Sequence, residues 1–301
     1  MCQPVTLATS PVYIQGVAIS STDVYWTDTM SGAMQPAGTI MMVPIDGGTP
    51  TTLVSGQDYP VELVADNTRI YWPAGGSILS KVLGVGGAIT TIASGQNSPA
   101  TIAVDSNNAY WSDYLGPDGG AGGTVMQASL LGGPAVTLAT GQIEPWGIGV
   151  SSTDVYWSNY GGSIVTRVPI GGGSPVTVVS GGPPDGASVG AGGLVVGPTS
   201  VYWTAAGPSA TEGAVMSVPL GGGTPTTLAS GQDRPGDITV DPMNVYWANY
   251  GGGQIMTMPL SGGTPTMLAS GQAGPIAVNV DATTVYWANQ AGGQVMKVAK
   301  P

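Results

Sequence analysis

Histidine is absent from this 301-residue chain and cysteine occurs once, which excludes histidine-based triads and zinc sites of the ordinary type. Acid–base chemistry would therefore have to come from the 17 carboxylates. Glu62 and Asp237 are the sharpest pair, because they hold the same place in an internal repeat whose other copies carry Gly16, Thr101, Gly147, Gly193 and Ala277. Acids clustered at the mouth of a channel could hold a Ca²⁺ or Mg²⁺ ion through oxygen ligands; the competing reading is two solvated loop acids. No other cofactor is indicated. Aromatic side chains form the second candidate set. Trp146 is the one tryptophan outside a repeated Tyr-Trp pair, and Tyr59, Tyr114, Tyr160 and Tyr250 fall in loops of the same face. Rings beside carboxylates and amides suit a peptide, glycan or protein ligand. The competing reading packs them over the strand ends.

The elements that must position these residues come from the repeat. Tyr-Trp recurs at Tyr25, Tyr71, Tyr110, Tyr156, Tyr202, Tyr246 and Tyr286, in steps of 39 to 46 residues. That is the period of a four-stranded propeller blade. Each copy reads as four short strands, A to D. Strand A follows a Pro or Gly, strand B carries Val-Tyr-Trp, strand C resembles Val215 to Leu220, and a Gly-Gly turn leads to strand D. Both faces of strand B are apolar, as expected when a blade is packed between two others, so the repeated tryptophans are assigned to the core. Pro4 to Ala8 matches a strand D with no blade before it, and Gln294 to Val298 matches the strand C of the last copy. The prediction is an all-β, seven-bladed β-propeller of four-stranded antiparallel blades. Its N-terminal strand completes the last blade, and residues 1–301 form a single domain.

The acids divide by position. Asp23, Asp66, Asp105, Asp154, Asp241 and Asp281 are placed in A–B turns, where Asp caps backbone N–H groups. Asp28, Asp58, Glu62, Asp113, Asp118, Glu144, Asp185, Glu212, Asp233 and Asp237 are placed on the opposite face, where the B–C and D–A loops would carry function. Longer loops near Met30, Leu115 and Ala206 would give that face an asymmetric rim.

Six Lys and Arg against a net charge of −11 leave no electrostatic footprint for nucleic acid. No apolar run is long enough for a transmembrane segment. The chain is expected to be monomeric and exported, whether secreted, periplasmic or at the cell surface, and Cys2 is placed to carry the lipid of a bacterial lipoprotein.

Tyr25-Trp26-Thr27-Asp28, with the variants Tyr110-Trp111-Ser112-Asp113 and Tyr156-Trp157-Ser158-Asn159, resembles the YWTD motif. The chain resembles YWTD/NHL-like propellers, and more closely the Gly- and Pro-rich repeat proteins of myxobacteria. The resemblance implies that Asp28, Asp113, Asn159, Asn249 and Asn289 cap strand B and brace neighbouring loops. More distantly the chain is similar to streptogramin lyases, which use a histidine, and to gluconolactonase-like propellers, which hold a metal near the axis. The leading expectation is a non-catalytic binding or scaffold propeller that recognises a peptide, glycan or protein on its loop face. The alternative is a metal-dependent propeller lyase or lactonase acting at the central channel mouth, and a third reading is a purely structural surface component.

Overall fold

A Val-Tyr-Trp strand apolar on both faces must be covered on both sides, and the architecture does this by standing each sheet between two others. The computed structural model describes residues 3–11, 13–29, 38–84, 86–116, 122–160, 164–180, 193–205, 207 and 211–301. Among them, every regular element is a β-strand, and the strands pair into seven four-stranded antiparallel sheets, the blades of a β-propeller. Cys2, Asp118, Asp185 and the loop at Met30 lie outside the described residues, as does most of the loop that starts at Ala206.

The N-terminal strand Val5–Thr9 pairs antiparallel with the C-terminal strand Gln294–Ala299, so it completes blade seven as the repeat predicts. Two lysines fasten that last strand sideways. Lys297 Nζ donates to Ile45 O of blade one at 2.8 Å, and Lys300 Nζ meets Asp241 Oδ2 of blade six at 2.6 Å, over the ring of Tyr246.

The tyrosine and tryptophan of each repeat point to opposite sides. Tyr25 packs with Trp72 of the next blade, Tyr71 with Trp111, Tyr110 with Trp157, and so on around to Tyr286 with Trp26. All seven tryptophans of the motif are at most 2% exposed, which confirms them as core.

An indole buried this way still needs an acceptor for its N–H. In five blades a glutamine at the end of the preceding blade supplies it: Gln57 to Trp72, Gln96 to Trp111, Gln142 to Trp157, Gln232 to Trp247 and Gln272 to Trp287, at 2.8 to 3.0 Å. Asn159, Asn249 and Asn289 donate to the same glutamine oxygens, giving them the bracing role that the motif implies. At blade one Ser10 stands near this corner and bonds Asp28 instead, and Trp26 Nε1 makes no hydrogen bond among the described residues.

The turn carboxylates are partly as predicted. Asp66, Asp105, Asp241 and Asp281 each accept two backbone N–H groups through Oδ1 and a tyrosine hydroxyl through Oδ2. Asp23 and Asp154 do not cap. Ser20 and Ser151 take the capping place, and the two aspartates begin strand B, where Asp154 pairs with Arg167 at 3.3 Å. Ser has the same short reach to the backbone as Asp, so the acid three residues later draws the eye wrongly.

Replacing Gln232 with Leu would strand the Trp247 indole N–H and the Asn249 amide in the core. We expect Gln232→Leu to cost about 1–3 kcal/mol by urea unfolding, whereas an unchanged midpoint would mean that the clamp adds nothing.

Candidate functional site

The first turn of strand A is irregular wherever the ladder reaches the axis. In blade six Pro235 pairs with Asn249 and Ile238 with Trp247, so Gly236 and Asp237 together face the single residue Ala248. Blades one, three and four repeat this two-against-one bulge at Gln15-Gly16, Ala100-Thr101 and Trp146-Gly147. A bulge releases residues from the ladder and re-aims their side chains. Here it aims them at the axis: Gly16, Glu62, Thr101, Gly147, Gly193, Asp237 and Ala277 all line one cavity of about 170 Å³, to which every blade contributes. In blade two the inner strand starts only at Val64, and Glu62 reaches the axis from the coil before it.

Two devices hold the segments that bear the acids. The hydroxyl that follows the motif tryptophan reaches across to the next blade: Thr27 Oγ1 donates to Val61 O at 2.6 Å, and Thr204 Oγ1 to Gly236 O at 2.5 Å. Those carbonyls immediately precede Glu62 and Asp237. Ser112 and Thr101 fix Trp146 O in the same way. The second device is a pair of glycines that opens strand C, Gly38 and Gly213. A side chain at either would run into Pro60 or Pro235, which lead the corners toward Glu62 and Asp237.

Electrostatics separates the two acids. Asp237 Oδ1 accepts the Ile238 N–H at 2.8 Å and Oδ2 the Val278 N–H at 2.9 Å. Burial raises its carboxyl to about 6 against the pull of those two donors. Glu62 accepts no hydrogen bond among the described residues. Its burial, reinforced by the charge of Asp237 in the same cavity, pushes it well above the usual carboxylate range. Burial thus favours the protonated form of both acids, and only Asp237 has N–H donors that oppose it.

Beside the axis, a cleft of about 420 Å³ opens between blades two, three and four. Tyr59, Tyr114 and Trp146 line it, and it shares Gln15, Val61 and Trp146 with the axial cavity. Tyr114 and Trp146 meet edge to face at 6.1 Å. Tyr59 is half exposed and held at φ 50°, a left-handed conformation unusual for a bulky residue. Tyr160 and Tyr250 line neither space. Tyr160 is exposed beside Glu144, and Tyr250 hydrogen-bonds Gln290 under the Arg234 guanidinium. Glu62, Asp237, Tyr59, Tyr114 and Trp146 are thus brought together across one mouth. The bulges and the threonine staples escape a reading of the sequence, although a hydroxyl after Tyr-Trp in blades one, three and five is their visible trace.

No protein-family model matches the sequence, and no curated protein does. The fold is similar to that of virginiamycin B lyase from Staphylococcus aureus, at 13% identity and a TM-score of 0.78, over 100% of this chain and 99% of that one. A catalytically inactive variant of that lyase, with a histidine replaced by alanine and crystallised with quinupristin, gives 14% and 0.77 over the same shares. The nidogen/laminin complex matches at 17% and 0.59 over 74% of this chain and 85% of that one. BamB from Moraxella catarrhalis matches at 12% and 0.57 over 99% and 91%. These likenesses establish the β-propeller fold. The leading expectation of a non-catalytic binding or scaffold module is corrected: virginiamycin B lyase, at TM-scores of 0.77 and 0.78, is an enzyme and favours the alternative reading of a propeller lyase.

The donor set at the axis does not fit a resident divalent ion. Among the described residues no group of three or more Asp, Glu, Cys or His could hold one. No helix is long and apolar enough to cross a membrane.

Thr204→Val keeps the shape but leaves the Gly236 carbonyl with the Gly193 N–H as its remaining donor. We expect a loss of about 0.5–1.5 kcal/mol and a displaced Asp237 titration by carboxyl NMR, with both restored by Thr204→Ser; a titration unmoved from the wild-type value would remove the staple's positioning role.

The carboxylates also set a stability optimum. Burial raises Asp28 and Asp113, each to about 6, despite help from Ser10 and from the Asn97 backbone, and together with Asp237 and Glu62 they favour the protonated folded state. Their contribution is complete below the ordinary carboxylate value and is lost as pH rises through about 6. Asp241 runs the other way. Burial pushes it up, but Lys300 and the turn N–H groups bring it to about 2, so its contribution is lost only as pH falls toward that value. The melting temperature is expected to climb as pH drops from neutral to between 4 and 5 and to fall in stronger acid, with scanning calorimetry as the check.

Proposed function

We propose that this chain is a propeller enzyme of the lyase type that opens an ester or lactone at the channel mouth, using carboxylates in place of histidine. The observation that carries the reading is the pair of acids on one axial cavity beside an aromatic-walled cleft, Asp237 held by two N–H donors and Glu62 by none. Environments that push two titratable groups apart are the usual way to obtain an acid and a base at one pH. The likeness to virginiamycin B lyase supports the same reaction class. That lyase loses activity when a histidine is replaced, and this chain has none, so the chemistry falls to its own acids.

In the elimination we propose, the ionised Asp237 carboxylate takes a proton from the carbon next to the one that bears the ester oxygen. The C–H electron pair becomes a C=C bond, the C–O bond breaks, and Glu62 gives its proton to the departing carboxylate. Both acids return to their starting states by exchange with solvent. Tyr59, Tyr114 and Trp146 hold the body of the substrate in the cleft, and the threonine staples keep the two acids from turning away. The repeats are read as a divergent YWTD-like set, and the enzyme as an exported bacterial protein acting on a molecule from outside the cell.

The test is incubation with quinupristin and a panel of macrocyclic lactones, followed by mass spectrometry. Ring opening by elimination leaves the mass unchanged and creates a new double bond, whereas hydrolysis adds one water. Glu62→Gln and Asp237→Asn are each expected to cut kcat by about 100-fold or more, and EDTA should leave the rate unchanged. The rate should rise through about pH 6 as Asp237 ionises and fall again where Glu62 loses its proton. A wild-type protein inert toward the whole panel overturns this reading.

A further inference from the structure

We infer that the cleft between blades two, three and four is a subsite for an organic cation, so that the substrate carries a tertiary or quaternary ammonium group; this rests on the proposed reading of the channel mouth. Charge complementarity decides the chemistry. Asp58 lies on the cleft and Glu62 and Asp237 on the adjoining cavity, while no lysine or arginine lines either space. All six basic residues are engaged elsewhere: Arg69 with Ser80, Lys81 with Gly87 O, Arg167 with Asp154, Arg234 with Asp233, Lys297 with Ile45 O and Lys300 with Asp241. An anionic ligand would meet only like charge.

The walls narrow the class further. Tyr59, Tyr114 and Trp146 present three rings to one space, and the edge-to-face contact of Tyr114 with Trp146 sets those two planes nearly perpendicular. Aromatic walls beside the Asp58 carboxylate favour an alkylated ammonium over a strongly hydrated primary amine.

The experiment titrates the protein with choline and with 3,3-dimethyl-1-butanol, in which carbon replaces the charged nitrogen, and follows the Trp146 indole N–H by NMR. The signal is assigned with Trp146→Phe. Choline is expected to shift this indole and to bind at least about 10-fold more tightly than its isostere. Tyr59→Ala, at an exposed site whose loss should not disturb folding, is expected to weaken choline by about 10-fold, and Asp58→Asn to weaken it less. Equal affinity of the two probes, or no shift of Trp146 with choline, overturns the subsite. The enzyme reading fails separately: turnover of a neutral lactone without choline binding would leave the enzyme and remove the cation site, and choline binding without turnover would do the reverse.

Discussion

The seven blades are held in register by the need of a buried indole for a hydrogen-bond acceptor. Each motif tryptophan is sealed between two blades, where an unpaired N–H costs about 1–3 kcal/mol. The acceptor cannot come from the same blade, because its own backbone is committed to the ladder. In five of the seven blades glutamine from the blade before supplies it and also binds its own strand through the carbonyl two residues back, as Gln232 does with Ser230 O. One side chain therefore fixes the spacing of two sheets and the shape of the corner between them. That corner is where the chain turns from an outer strand to the next inner strand, so it also decides what reaches the axis.

The functional consequence is that a repeated scaffold yields an unrepeated site. All seven blades send the residue at the equivalent position to the same axial cavity, and in five of them it is glycine, alanine or threonine. Only blades two and six send an acid. They are separated by blades seven and one on one side and by three, four and five on the other, so the two carboxyls face each other across the channel rather than along one wall. Both follow a carbonyl stapled by a threonine and a proline seated on a glycine. The third such corner, in blade four, carries Trp146 and no acid, and there the aromatic cleft begins. Three copies of one device thus place Glu62, Asp237 and Trp146.

Several features were legible in the residues alone. Blade number, strand order and ring closure follow from a period and a dipeptide, because a strand apolar on both faces has few ways to be buried, and a lone outer strand at one end must pair with what the other end lacks. The equivalence of Glu62 and Asp237 with five small residues was legible for the same reason. The turn caps were legible in four blades of six, and Asp23 and Asp154 misled because serine can do the same work three residues earlier. The preference for a non-catalytic module gives way to the likeness with a lyase, and the reading of Glu62 and Asp237 as solvated loop acids gives way to their place on the axial cavity.

By itself, then, the sequence determined the ring, its closure and the identity of the groups at its mouth, since these depend on periodicity and on which side chains are apolar. Tertiary structure decided which groups share a space and in what protonation state. Tyr160 and Tyr250 belong to the same class of loop residue as Tyr59 and Tyr114, yet only the latter pair line the cleft with Trp146. That division depends on how far each loop leans over its neighbour. The different surroundings of Glu62 and Asp237 likewise depend on two N–H donors to Asp237, one of them from blade seven, and on the convergence of all seven blades on one cavity. Through-space desolvation and a contact between blades leave no mark on the order of residues, which is why the site's chemistry had to wait for the fold.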